Sequence, residues 1–186
     1  SPRARPRPRG PVLVAGRAGG GGPLAGQLAR GAGGGVVGTA GDGEGEKLAL
    51  ELGAHRGFNR KEDGYEKSIL AATDGRGVDV VVEMLANVNL NRDLAMLAKR
   101  GRVVVVGNRG SLDFNPRDLM ARDAAVLGML VDNLSAEEFA GNLSRLTAAI
   151  ENGLRVTVGP ELPLRDAARA PQLVKDGAGP GQAVLV

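Results

Sequence analysis

Short apolar runs alternate along the chain with stretches in which apolar residues recur every three or four positions, the rhythm of strand followed by helix. VLVA (Val12 to Ala15) is a β-branched run followed by glycines and then by LAGQLAR, which predicts strand, glycine turn and helix. VVGT (Val36 to Thr39) precedes the helical stretch EGEKLALEL, and HRGFN precedes EDGYEKSILAAT. VDVVVEM (Val78 to Met84) and RVVVVG (Arg102 to Gly107) are the strongest strands, and unbroken valine runs suit strands covered on both faces, as in a parallel sheet. Between them Leu90, Leu94, Met96 and Leu97 mark a helix. AAVLGML (Ala124 to Leu130) reads as a sixth strand, and SAEEFAGNLSRLTAAIENG as a long helix in which Ser135 and Glu138 fit a capping box. A closing helix (Leu164 to Lys175) and AVLV complete the series.

This alternation predicts an α/β fold of the Rossmann type: a doubly wound parallel sheet of about six main strands with helices on both faces. In such a sheet the ligand lies at the carboxyl ends of the strands, near the switch point after the first one. Residues 1–11, an Arg/Pro leader rich in residues that hold the chain extended, are expected to be disordered, and residues 12–186 to form one dinucleotide-binding domain.

Composition narrows the chemistry. No window approaches ~18 consecutive apolar residues and no charged tip leads into an apolar stretch, so a soluble, cytoplasmic protein without a membrane partner is expected. The absence of cysteine excludes disulfides and thiolate chemistry, and with one histidine, His55, the usual zinc ligand sets cannot be assembled, so no metal is expected. The net charge of +3 comes from Arg3, Arg5, Arg7 and Arg9; the rest of the chain is slightly acidic. Tyr65, Phe58, Phe114 and Phe139 are the only rings, too few for stacking on exposed bases.

Fifteen of the 30 glycines fall between Gly10 and Gly45. In the first turn, AGRAGGGGPLAG, Gly16, Gly19, Gly20 and Gly22 lie between strand and helix, where a bare backbone can approach a pyrophosphate and free N–H groups can bind it. Gly33, Gly35 and Gly38 spell G-x-G-x-x-G but sit where a helix enters a strand, the wrong place to hold phosphate. The second strand ends Thr39-Ala40-Gly41 with no acid until Asp42, whereas a carboxylate there would bond a free ribose 2′-hydroxyl and repel a 2′-phosphate. With Lys47, Arg60 and Lys61 nearby in sequence, NADPH is favoured over NADH. His55, at a helix end, is expected to cap carbonyls, and Tyr65 lacks the lysine four residues on that a Tyr-Lys catalytic pair needs. Glu83 closes the fourth strand at the cofactor face and is either functional or a buried, hydrogen-bonded carboxylate.

The stretches VEMLANVNL, GRVVVVGNRG, FNPRDLMA, VGTAGDGEGEK and ELGAH resemble the cofactor-binding half of zeta-crystallin-like NADPH:quinone reductases, zinc-independent members of the medium-chain dehydrogenase/reductase superfamily. The likeness runs from about Val12 to Val186. It implies an oxidoreductase passing hydride from NADPH to a quinone or activated enone; the alternative is a non-catalytic nucleotide- or RNA-binding module of the same descent.

By this resemblance Ala18, Gly19, Gly20 and Gly21 hold the pyrophosphate and Gly41 lies by the adenosine ribose phosphate. Arg60 occupies the place of a histidine near the adenosine end. Asn89 and the turn Val106, Gly107, Asn108, Arg109 run along the cofactor, and Met129, Leu130 and Val131 reach the nicotinamide. Val106 and Leu130 are more often simple core residues, and the case for them is positional only. Pairing of copies through the edge strand 124–130 and a capacity for RNA are also implied, whereas no catalytic residue is identified.

Departures from the pattern point to weaker cofactor binding. Ala18 replaces a serine, Gly21 a valine and Gln182 a lysine, and Pro23 enters the first helix, where the first turn can tolerate it. Each interior glycine of that helix costs ~0.5–1 kcal/mol relative to alanine. The GroES-like N-terminal domain of the family is expected to be absent, since nothing before Val12 resembles it.

Overall fold

In a computed structural model of the chain, residues 10–16, 21–176 and 181–186 are described. Alternate residues of the valine-rich segments point to opposite faces, and both faces are buried. Leu13, Val81 and Val103 join one core, and Val12, Val14, Val80 and Val104 the other. A strand buried on both sides needs helices on both sides, and the chain supplies them alternately.

Strand β1 (Pro11–Val14) leads to α1 (Gly21–Gly31), β2 (Gly35–Ala40), α2 (Gly43–Glu51), β3 (Arg56–Asn59), α3 (Tyr65–Ala72), β4 (Val78–Glu83), α4 (Ala86–Met96), β5 (Leu97–Val105), α5 (Pro116–Met120) and β6 (Ala125–Gly128). The six strands form one sheet in the order β3-β2-β1-β4-β5-β6 with every pairing parallel. The chain starts in the middle, winds outward to β3, then crosses to β4 and winds the other way, so the switch point lies between β1 and β4. Ala25 and Ala29 of α1 and Ala49 of α2 pack on one face, and Tyr65 and Ile69 of α3 with Leu90, Leu94 and Met96 of α4 on the other. Burying each of the large aliphatic side chains stabilises the sheet by ~1.5–3 kcal/mol.

Helix α1 shows how the glycine-rich exit works. The N–H of Gly34 bonds to the carbonyl of Ala29, and that of Gly33, at φ 82°, to the carbonyl of Arg30. This is a Schellman stop, so Gly33 and Gly34 end the helix and Gly35 opens β2. Pro23 is accommodated in the first turn of α1.

Several boundaries differ from those read in the sequence. Pro11 opens β1 instead of closing the leader, a position open to proline because the first residue of a strand can do without its donor. Leu97 belongs to β5 rather than to the helix, and the β4–β5 register slips before Arg102 where Arg100 takes φ 63°. The sixth strand is four residues long, Ala125–Gly128. The closing helix is a 3-10 stretch, Leu164–Arg169, followed by α7 (Ala170–Asp176).

Beyond β6 the chain leaves the sheet. Helix α6 (Ala136–Glu151) starts at Ser135 with the expected capping box, both reciprocal bonds being present. It buries no residue: Phe139, Leu143 and Ile150 are 54%, 53% and 52% exposed. β7 (Val158–Leu162), which the sequence pattern did not announce because Gly159 and Pro160 interrupt it, pairs in parallel with β8 (Gln182–Leu185) as a separate two-stranded sheet. Gln27 of α1 ties this region back, accepting from the N–H of Arg155 at 2.9 Å and donating to its carbonyl at 2.8 Å. No helix among the described residues is long and apolar enough to cross a membrane.

Candidate functional site

The carboxyl ends of β1, β2 and β3 converge on one side chain. Gly16, at φ 74°, turns the chain after β1, and Gly41 follows β2. Arg60 follows β3, with its N–H bonded to the carbonyl of Ala40 at 2.9 Å. A β-carbon at residue 16 would stand 3.7 Å from Nη1 of Arg60, and one at residue 41 would stand 3.4 Å from Nη2 and 3.6 Å from Cε of Lys61. The guanidinium thus spans the ends of the first two strands over positions that carry no side chain. Among the described residues no carboxylate forms an ion pair with Arg60 or Lys61.

Asp42, the nearest acid in sequence, is already committed. Its Oδ1 accepts from the N–H of Gly45 at 2.8 Å as the cap of α2. The N-terminus of α4 is likewise filled from within the protein. The N–H of Ala86 reaches the carbonyl of Gly107 at 3.0 Å, and the N–H of Asn87 reaches Oδ1 of Asn108 at 3.0 Å. The first turn of α1 carries no acidic residue.

Met84 forms the floor between the two halves. Its side chain faces Gly16 and Gly21, and its carbonyl occupies the space that a side chain on residue 107 would need. Asn87 then closes the edge, with Oδ1 accepting from the N–H of Arg109 at 3.0 Å. Neither residue was singled out from the sequence. Asn87 sits inside a motif whose neighbour Asn89 drew the attention, and only the cross-loop pairing distinguishes the two.

Asn89 is buried, and its Nδ2 donates to Oε1 of Glu83 at 3.0 Å. Its edge, with Arg60, Lys61, Val88 and Arg92, lines a cavity of about 340 Å³ between α4 and the loop after β3. Glu83 is fully buried, the second of the two readings its sequence allowed. Beside it Asp93 is pushed up to about 9, by burial first and then by the charge and hydrogen bond of Glu83.

Val106 and Gly107 donate their N–H groups to the carbonyl of Glu83 at 2.8 and 3.2 Å. Met129 is held at the end of β6 by its N–H bond to the carbonyl of Val105 at 3.0 Å, and Leu130 and Val131 follow it, exposed. Val106 and Leu130 are exposed and are not core residues. Gly21 and Gly22 open α1. Lys47 is exposed on α2. Ala18, Gly19 and Gly20 lie outside the described residues, as do residues 1–9 of the leader, on which the RNA reading leans, and the side chain of Gln182.

His55 is structural, though not by capping carbonyls. Its Nδ1 accepts from the N–H of Val36 at 3.0 Å, which fixes the ring at the start of β2. Among the described residues no three His, Cys, Asp or Glu side chains gather as metal ligands.

The edge so built is that of a dinucleotide-binding α/β domain. A family model for zinc-binding dehydrogenases matches residues 20–149, and the chain belongs to that family. It is 44% identical to a quinone oxidoreductase of Pongo abelii over 169 residues, 90% of this chain and 51% of that protein. Among solved structures it is similar to the Escherichia coli quinone oxidoreductase complexed with NADPH, with TM-score 0.89, 27% identity and coverage of 98% of this chain and 58% of that one. It is also similar to an NAD-dependent alcohol dehydrogenase, with TM-score 0.86, 26% identity and coverage of 99% and 53%. The chain spans about half the length of the curated relatives it matches.

Proposed function

We propose that this chain is the NADPH-binding half of a quinone-reductase-like oxidoreductase that works without zinc. The observation that carries the reading is the guanidinium of Arg60 lying over Gly16 and Gly41, with the nearest acid after β2, Asp42, turned to the cap of α2. The fold alone does not choose the cofactor, because structures of similar shape include both an NADPH complex and an NAD-dependent enzyme. Charge does. A dianionic 2′-phosphate fits beside Arg60 and Lys61, whereas the carboxylate that would bond a free ribose 2′-hydroxyl is missing from Gly41.

In this reading Gly16 to Gly22 and the positive end of α1 receive the pyrophosphate, with Ala18, Gly19 and Gly20 contributing backbone only. Gly41, Arg60, Lys61 and Lys47 receive the adenosine ribose phosphate. Asn108, Arg109 and the exposed Met129, Leu130 and Val131 border the nicotinamide. NADPH when bound supplies the hydride, to a quinone or activated enone, and the protein binds and orients it. Much of the substrate pocket falls to a further domain, for which the uncovered apolar stripe of α6 is a suitable seat. The outer edge of β6, paired on one side only, is the surface through which two copies would continue the sheet; a concentration-independent monomer mass in sedimentation would remove that point.

The test is a titration of the chain with NADPH and NADH, read by nicotinamide fluorescence and by melting temperature. NADPH binds more tightly and raises Tm, since a ligand of the native state alone must stabilise it. Arg60→Ala weakens NADPH by roughly tenfold to a hundredfold, the worth of a charged hydrogen bond, and leaves NADH nearly unchanged. Equal affinity for the two cofactors, or an Arg60→Ala variant that loses both equally, would refute the assignment.

A further inference from the structure

Two buried carboxyl groups stand behind the candidate site, and the reading above gives them no task. Glu83, at the end of β4, is 0% exposed, and Asp93, in the third turn of α4, is 1% exposed. Glu83 is a junction. Its Oε1 accepts from the N–H of Leu85 and from Nδ2 of Asn89, which fixes the loop between β4 and α4. Its carbonyl accepts from the N–H groups of Val106 and Gly107, which fixes the loop after β5. The two loops are in turn joined through Ala86 to Gly107 and Asn87 to Asn108 and Arg109.

That leaves Oε2 of Glu83 and Oδ2 of Asp93, both buried and without a hydrogen-bond donor, on two side chains that lie within hydrogen-bonding reach of each other. Two acceptor oxygens can bond only if a proton lies between them. The surroundings offer no substitute. From α3, Tyr65 and Glu66 face this region, and Arg92 of α4 is turned outward onto Glu66 and the Tyr65 ring. Arg102 of β5 pairs in register with Val80, which belongs to the opposite face of the sheet.

We propose that Glu83 and Asp93 act as one proton-sharing positioning unit for the two loops along the cofactor, and that losing the shared proton slackens both loops and weakens NADPH binding. This rests on the NADPH reading of the site. With the proton in place, Asp93 donates to Glu83 and the Glu83 side chain is held where Leu85 and Asn89 can reach it. Without it two like charges face each other in an apolar core, and Glu83 can relieve the repulsion only by moving, which disturbs the bonds made by its side chain and by its carbonyl. Since Asp93 is pushed up to about 9, the unit holds its proton at neutral pH and releases it in the alkaline range.

The experiment follows the Kd of NADPH for the full chain from about pH 7 to about pH 9.5, where the 2′-phosphate stays doubly ionised and lysines stay charged. Alongside it, NMR follows the Asp93 carboxyl carbon and the Leu85 and Asn87 amides without cofactor. Kd is expected to rise with pH, by up to roughly tenfold per unit, the limit for one linked proton. The Asp93 carbon and both amides shift over the same range. Asp93→Asn, which keeps a neutral donor for Glu83, flattens the Kd profile. A flat wild-type profile, or an Asp93→Asn profile as steep as wild type, overturns the proposal. Failure of NADPH to bind at any pH defeats the cofactor reading instead. In that case the carbon signal still decides the unit, an ordinary midpoint near ~4 ruling it out.

Discussion

Nη2 of Arg60 lies 3.4 Å from where a β-carbon on Gly41 would stand, so residue 41 is the position from which a new side chain would meet that guanidinium directly. Gly41 has no left-handed φ that would resist substitution. Gly41→Asp is therefore expected to fold, to pair its carboxylate with Arg60 and to repel a 2′-phosphate. NADPH affinity falls by at least about tenfold while NADH affinity holds or improves, because the acid now occupies the place of a ribose-binding carboxylate. Parallel titrations of the two cofactors check it, and an unchanged preference would show that Arg60 does not face the phosphate.

Gly107 is constrained more severely. The space for its β-carbon is filled by the backbone carbonyl of Met84, which cannot swing aside as a side-chain tip could. Gly107→Ala must push apart the ends of β4 and β5, at a cost of roughly 1–3 kcal/mol as for overpacking elsewhere. A lowered urea midpoint with an unchanged slope is the expected signature. Gly43, which meets nothing within 4 Å, serves as the control, with Gly43→Ala leaving the midpoint nearly unchanged.

How far the fold was legible follows from which physical rule acts locally. The valine runs of β4 and β5 and the capping box of Ser135 are short-range patterns, and all three are present, although β5 starts at Leu97 and ends at Val105 where Arg102 to Gly107 was expected. Helix α1 ends at a G-x-G-x-x-G whose first glycine is a helix stop, which only its place between helix and strand could reveal. Leu97 kept the helical spacing but went to β5, because pairing with Val78 outweighs a one-residue extension of α4. The site was half visible. Arg60 and Gly41 could be proposed from the strand ends, whereas Asn87, Met84 and Asp93 matter through contacts with residues 10 to 68 positions away, and no spacing rule encodes those.

Asp93 also fixes how stability varies with pH. Its folded-state value of about 9 stands far above the ~3.9 of an unfolded aspartate, so between these limits the folded chain holds a proton the unfolded chain has lost. Stability from this group is complete below ~4, declines as pH rises and levels off above the folded value, with a ceiling of about 1.4 kcal/mol per pH unit. Urea midpoints measured without cofactor at about pH 6 and pH 8.5 should differ in that sense. Asp93→Asn should remove most of the difference, whereas the same slope in the variant would assign it to other groups.

Leu94 and Leu143 pose the same chemical question in two settings. Leu94 is fully buried in the core between α4 and the sheet, whereas Leu143 lies on α6, which buries nothing. Truncating Leu94 to alanine removes its transfer energy and leaves a cavity, at a cost of about 2–5 kcal/mol. Truncating Leu143 removes contacts that the described residues do not make, and the change should stay within about 0.5 kcal/mol. Should Leu143→Ala prove as costly as Leu94→Ala, the stripe of α6 is covered in solution, and a mass measurement on the wild-type chain would then show whether a second copy covers it.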